Sequence, residues 1–309
     1  MTTRDGDFVD LDWQDGARGA PLVLVLHGLE GCARSHYVVD VFELVRALGW
    51  RGVALNFRSC SGELNRLPRF YHSGDTADLD LVVRRLIERE PDVRLGIVGV
   101  SLGGNVLVKW LGEGGDRVPA AVRAGVGISV PFDLGACAEA LDRRGFGKWI
   151  YTANFLRTLR AKVMAKARVY PGFVDVTAVG RARTFHEYDD AVTAPLHGFA
   201  NARDYWTRAS CGPYVAGVRR PLLLLGSVDD PFIPRTCLPD PTTLPSGVQA
   251  EFSARGGHVG FWEGAWPWGA RPWAERRAVE FVAGALVDDP SPRPPRPRSA
   301  SSRVEVTAR

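Results

Sequence analysis

Val98-Gly99-Val100-Ser101-Leu102-Gly103-Gly104 is the stretch whose reading decides the fold of this chain. The Gly-x-Ser-x-Gly pentapeptide inside it says little alone, and its flanks say more. Arg94-Leu95-Gly96-Ile97-Val98-Gly99 before the serine is an apolar run of strand length. Asn105-Val106-Leu107-Val108-Lys109-Trp110-Leu111 after it carries apolar residues at near-helical spacing. A serine at a tight strand-to-helix turn is forced into a strained backbone conformation that exposes its Oγ. Gly99 and Gly103 let strand and helix pass without side chains colliding. The new helix also aims its first N–H groups at the space above the serine, where an oxyanion would develop. Ser101 is therefore the candidate nucleophile.

Working outward, Leu22-Val23-Leu24-Val25-Leu26 is a continuous apolar run after Pro21, as expected of a strand buried on both faces. Residues 37–48 place Val38, Val41, Phe42, Val45 and Leu48 on one helical face, with Gly49 as the stop. Residues 52–57 predict a strand. Asp75 or Thr76 caps a second helix whose stripe is Leu79, Val82, Val83, Leu86 and Ile87. Further strands are predicted over 125–130, 221–226 and 248–253, and a closing helix over 273–287. This alternation predicts an α/β fold, a mostly parallel doubly wound sheet covered on both faces.

The rhythm breaks between residues 131 and 218, a helical, irregular stretch rich in aromatics and too long for a loop. We read it as a helical cap inserted after the sixth strand, within a single α/β domain of residues 1–287. Residues 146–167 are basic and partly amphipathic (Lys148, Arg157, Arg160, Lys162, Lys166), which fits a lid helix with a solvated face, or peripheral membrane contact through the cap. Residues 288–309 collapse to Pro, Arg and Ser and read as a disordered tail. That tail holds five arginines against three acids, so much of the net charge of +4 lies there and no clustered nucleic-acid footprint is expected. The polar start of the chain carries no signal-peptide pattern, and no run is long enough to predict a transmembrane helix. Five cysteines without CxxC spacing suit reduced thiols, and together these features predict a cytoplasmic protein with no metal and no cofactor.

Acyl transfer by serine needs a base, an acid group to orient it and donors for the oxyanion, in the chain order Ser…Asp…His on this kind of sheet. Gly226-Ser227-Val228-Asp229-Asp230-Pro231 follows an apolar strand and offers two carboxylates. Asp230 is favoured by its Asp-x-x-x-Pro spacing to Pro234, and Asp229 is the alternative. His258 in Arg255-Gly256-Gly257-His258-Val259-Gly260-Phe261 follows the last strand and is the candidate base. The loop His27-Gly28-Leu29 follows the first buried strand. The N–H groups of Leu29 and Leu102 are the expected oxyanion donors, with His27 bracing the loop. His36, His186 and His197 read as packing or surface residues, and His72 as part of a local hydrogen-bonding cluster.

At these residues the sequence resembles family 4 of the α/β-hydrolase fold, the YheT-like esterases of bacteria with related abhydrolase-domain lipases and yeast acyltransferases. The matching runs are His27-Gly28-Leu29-Glu30-Gly31 with Ser35-His36-Tyr37, Asn56-Phe57-Arg58 through Ser61-Gly62-Glu63 to Asn65-Arg66, and Tyr71-His72-Ser73-Gly74-Asp75. The elbow at Ser101, the stretch from Arg183-Thr184-Phe185 to Asp204-Tyr205, Asp229-Asp230-Pro231-Phe232 and the His258 loop complete the match, over residues 8–287. The resemblance implies Ser101, one of Asp229 and Asp230, and His258 as a charge-relay triad. Ser59 departs from it, standing where the family usually has Gly. The expected function is a serine hydrolase of carboxylic esters, short- to medium-chain or lipid-like, acting on a small-molecule substrate. The alternatives are an alcohol O-acyltransferase using the same residues, or a non-catalytic lipid-binding protein of the same fold.

Overall fold

The computed structural model describes residues 1–143, 148–264 and 269–287. The chain begins with strand β1 (Asp10–Gln14), then β2 (Leu22–Leu26), helix α1 (His36–Ala47), β3 (Arg51–Asn56), α2 (Ala77–Arg89), β4 (Leu95–Val100), α3 (Leu102–Gly114) and β5 (Val122–Ile128). Helical segments follow: α4 (Leu134–Asp142), a π-helical turn Lys148–Thr152, α5 (Ala153–Ala167), α6 (Val176–Arg181), α7 (Phe185–Tyr188), a second π-helical turn Asp189–Thr193, α8 (Ala194–His197) and α9 (Ala202–Ala209). The sheet resumes with β6 (Leu222–Ser227) and β7 (Val248–Ser253). The short pair β8 (Trp262–Glu263) and β9 (Arg271–Pro272) precedes α10 (Trp273–Leu286).

Seven strands form one sheet in the order β1-β3-β2-β4-β5-β6-β7, with β1 antiparallel to β3 and all other neighbours parallel. Strand β2 shows why a continuous apolar run was needed. Leu22, Leu24 and Leu26 enter one core with Leu79, Val82 and Leu107 of α2 and α3. Val23 and Val25 enter the opposite core with Val38 and Val41 of α1 and Ala278 and Val282 of α10. Alternation with period two thus feeds two apolar layers. On the α10 side, a Cβ at Gly96 would lie 2.3 Å from Val282 Cγ1, so the helix settles directly on the central strand.

Two boundaries differ from the sequence reading. The helical insertion follows the fifth strand of the chain and not the sixth. The N-terminal segment supplies a single strand, and Thr2 and Phe8 make only an isolated bridge. Strand β1 escapes the sequence reading because it is a short, half-exposed edge strand with only two large apolar residues, and Asp10 and Asp12 are poor strand formers. Of the basic segment expected over 146–167, its first residues lie outside the described residues, and α5 begins at Ala153. The tail expected over 288–309 lies outside them too.

The insertion has apolar clusters of its own. One gathers Leu156, Val163, Val179, Tyr188 and Val192 around Phe70 of the main domain. Another gathers Leu134, Phe185, Tyr205 and Trp206, with Leu29 of the β2–α1 loop packed against it. Among the described residues, no helix is long and apolar enough to cross a membrane.

Candidate active site

Strands β2, β4, β6 and β7 are parallel, so their C-terminal ends lie on one edge of the sheet. The loops leaving them carry the candidate residues, as expected for a doubly wound sheet. Ser101, at the β4–α3 junction, has φ 52° and ψ −117°. A side-chain-bearing residue enters that region only when its surroundings force it. Here the force is packing: an added Cβ at Gly103 would lie 2.4 Å from the Leu26 carbonyl oxygen, and one at Gly99 2.4 Å from that of Gly103. The turn is tied at both ends, since Ser101 N–H donates to Ile128 O at 2.8 Å and Asn105 N–H donates to Ser101 O at 3.0 Å.

His258 Nε2 lies 3.0 Å from Ser101 Oγ, and His258 Nδ1 lies 2.8 Å from Asp230 Oδ2. A carboxylate can only accept, so Nδ1 carries the proton and Nε2 is left to receive the serine hydroxyl. Asp230 is fixed in turn: its Oδ1 accepts the N–H groups of Phe232 at 2.8 Å and Ile233 at 3.2 Å, and its side chain is 1% exposed. Asp229 faces elsewhere. Its Oδ1 accepts Gly257 N–H at 2.9 Å, and that bond together with the Ser227 hydroxyl holds its carboxyl below the usual range. Asp229 thus braces the loop that carries His258, and Asp230 meets the imidazole.

The β2–α1 loop lies against Ser101, since a Cβ at Gly28 would sit 3.3 Å from Ser101 Cβ. His27 braces it: Phe57 N–H donates to Nε2 at 3.1 Å and Nδ1–H donates to Gly28 O at 2.7 Å. Full burial pushes the His27 pKa down to about 4, so the ring is neutral and suited to that pairing. Leu29 and Leu102 both border the space in front of Ser101. Leu102 is the first residue of α3, where backbone N–H groups lack intrahelical partners.

That space is a cavity of about 340 Å³ between the sheet edge and the insertion, walled mainly by apolar and aromatic side chains such as Leu134, Phe155, Phe185, Trp206 and Phe232. Sequence reasoning missed several polar residues of its wall. His36, His72 and His197 all border it. The His72 and His197 rings pack edge to face at 4.5 Å, and burial pushes their pKa values down to about 3 and about 2, so both are neutral. His186 is instead half-exposed, 3.3 Å from Asp190. Among the described residues, no group of three or more His, Cys, Asp or Glu side chains is placed to hold a metal ion.

Asp189, on the second π-helical turn, also borders the cavity. Its carboxylate accepts Thr193 Oγ1–H at 2.6 Å and Trp206 Nε1–H at 2.8 Å. Burial pushes its pKa from 3.8 up to about 7, against those two bonds and with help from Asp142 and Asp190. The folded state therefore binds this proton more tightly than the unfolded chain, and stability falls as pH rises from about 4 through 7. Asp189→Asn keeps both partners without the charge. Its thermal midpoint should match wild type near pH 4 and exceed it by several degrees at pH 8. A midpoint difference independent of pH would refute the assignment.

A family profile described as the alpha/beta hydrolase fold matches residues 21–265. The chain is 38% identical over 262 residues to a candidate esterase of Escherichia coli (strain K12), YheT, a match covering 83% of this chain and 76% of that protein. It is 33% identical over 277 residues to phospholipase ABHD3 of Homo sapiens, covering 86% and 67% of the two chains. It is also 29% identical over 250 residues to a monoacylglycerol lipase of Saccharomyces cerevisiae, covering 79% and 55%. Among solved structures, an esterase of Pyrococcus furiosus superposes with a TM-score of 0.57 at 17% identity, covering 93% of this chain and 90% of that one; this likeness concerns the fold alone.

Proposed function

The chain belongs to the α/β-hydrolase fold family as an ester-hydrolysing enzyme of esterase or lipase type, and from that premise we propose that Ser101, His258 and Asp230 form its catalytic triad. The observation that carries this reading is the unbroken line Asp230 Oδ2–His258 Nδ1, His258 Nε2–Ser101 Oγ, at 2.8 and 3.0 Å, on the floor of an apolar cavity.

In this mechanism Ser101 Oγ attacks the ester carbonyl as His258 Nε2 takes its proton. The carbonyl oxygen, now an anion, turns into the N–H groups of Leu29 and Leu102. The imidazolium, held by Asp230, returns the proton to the departing alcohol. Water then attacks the acyl-serine with His258 again as base, releasing the acid. No cofactor enters any step. Residues 131–218 act as a cap, and its aromatic wall favours an apolar acyl group of short to medium length, or a lipid-like ester, over a charged one.

Fluorophosphonate labelling with peptide mass spectrometry tests this directly. A single adduct on Ser101, absent in His258→Ala, is the expected result. Absence of any adduct on folded wild-type protein would overturn it in favour of a binding protein of the same fold. With ethanol competing against water, ethyl ester formed above the non-enzymatic level would assign the acyl-enzyme to transfer instead.

A further inference from the structure

The β2–α1 loop is held by two tyrosine hydroxyls. Gly28 N–H donates to Tyr37 Oη at 2.9 Å, and Glu30 N–H donates to Tyr71 Oη at 2.8 Å. Among the described residues Leu29 N–H, between them, meets no hydrogen-bond partner. The loop's neighbouring donors are thus tied down on either side of the one that the proposed reaction uses. Elementary accounting points the same way, since an unpaired N–H beside a reactive serine is costly unless something fills it during turnover.

Glu30 holds this arrangement under strain. Its φ is 57°, in the left-handed region that a residue with a side chain enters at a cost of about 1 kcal/mol. Three bonds offset that cost. Besides the bond from its own N–H, the Glu30 carboxylate accepts Tyr71 Oη–H at 2.9 Å and the Lys162 ammonium at 2.8 Å. Tyr71 therefore clamps Glu30 at both its backbone and its side chain. Lys162 comes from α5, on the insertion, and also lies 3.4 Å from Cys60 Sγ. The Glu30 side chain is 7% exposed and that of Lys162 23%, so solvent screens the pair far less than a surface ion pair.

We propose that Tyr71, Glu30 and Lys162 are positioning residues for the oxyanion donor Leu29, and that Lys162 makes the geometry of the oxyanion hole depend on the seating of the insertion above it. The assignment rests on the triad reading given above. A seated α5 brings the ammonium to Glu30, the carboxylate and Tyr71 lock the left-handed turn, and Leu29 N–H faces the reacting carbonyl. With α5 lifted, the turn loses the cation that stabilises it, and the donor loses its aim. The cavity would then be productive only when roofed, which couples exclusion of water to assembly of the hole.

The test uses the full chain with a p-nitrophenyl ester that wild type turns over, and an alkyl boronic acid as tetrahedral analogue. Tyr71→Phe and Lys162→Met should each lower kcat about 10- to 100-fold with KM within about threefold. Boronate affinity should fall by the same factor as kcat, because only the tetrahedral state uses the hole. Lys162→Arg should recover most of the activity. Glu30→Gln, which keeps the size and the Tyr71 contact, should match Lys162→Met, and the double variant should be no worse than either single one. Raised KM at unchanged kcat, unchanged boronate affinity, or multiplicative effects in the double variant would overturn the proposal. If Lys162→Met fails to fold, Glu30→Gln decides alone by the same kcat and boronate readings. A wild-type protein that neither turns over nor takes a phosphonate on Ser101 fails at the triad itself, and the inference falls with it.

Discussion

Ser101→Ala should lower ester turnover by at least about three orders of magnitude and leave the fold in place. The expected loss is large because, on the proposed mechanism, the Oγ is the atom that forms the covalent bond, and among the described residues it is the side-chain hydroxyl paired with His258 Nε2. The residual rate comes from the oxyanion donors and binding alone, acting on water. The fold survives because the strain at φ 52° is imposed by the close approach of Gly103 to the Leu26 carbonyl, not by the serine side chain. Circular dichroism and a thermal midpoint close to wild type should accompany the lost activity. Undiminished esterase activity in this variant would sink the triad reading.

Asp230→Asn should cost about 10³- to 10⁴-fold in kcat, and Asp229→Asn no more than a few-fold. Asparagine at 230 keeps the size and can still accept from Phe232 and Ile233, so the loop should hold. What changes is the proton. The side-chain amide can donate to Nδ1, which favours the tautomer with hydrogen on Nε2, and that nitrogen can no longer receive the serine proton. Asp229 contacts the backbone of Gly257 and lies away from the ring, and asparagine there still offers an oxygen to that N–H. Rates for both variants, read against the same ester, separate two adjacent carboxylates that the sequence left as alternatives. An equal loss in both would mean that the bracing of the His258 loop matters as much as the orientation of its ring.

The parallel sheet and the elbow were legible in the sequence because buried strands and a strand-to-helix serine leave strong local signals. Leu22–Leu26 must be apolar throughout, and Gly99 and Gly103 must be small. The candidate residues followed from chain order and strand ends. What escaped was whatever depends on two distant segments meeting. Tyr71 stood in a matching run with no role attached, because its hydroxyl acts on a residue 41 positions away. Lys162 read as part of a basic helix face, and its partner lies 132 positions earlier. His72 and His197 gave no strand-end signal, and only the folding of the insertion over the sheet brings them to the cavity wall. Ser59 is instructive in the other direction. It departs from the expected glycine yet keeps the left-handed conformation, φ 65°, with its hydroxyl donating to Asn65 Oδ1 at 2.6 Å and accepting Asn65 N–H at 3.1 Å. A side chain that bonds locally offsets the cost that glycine would have avoided.

The placement of α10 on the central strands has a consequence for the order in which this enzyme comes into being. One face of the central strands β4 and β5, including the site beside Gly96 that Val282 fills, stays uncovered until that helix leaves the ribosome, while α1 already packs on β2 and β3. Ser101, the proposed nucleophile, is synthesised 157 residues ahead of His258, its proposed base, an interval of roughly 10–30 s at ordinary translation rates. During that interval the nascent chain carries the elbow serine with nothing to deprotonate it. On the proposed triad, the growing polypeptide is chemically silent while its central strands are bare on one side, and it becomes reactive in nearly the same moment that they are covered.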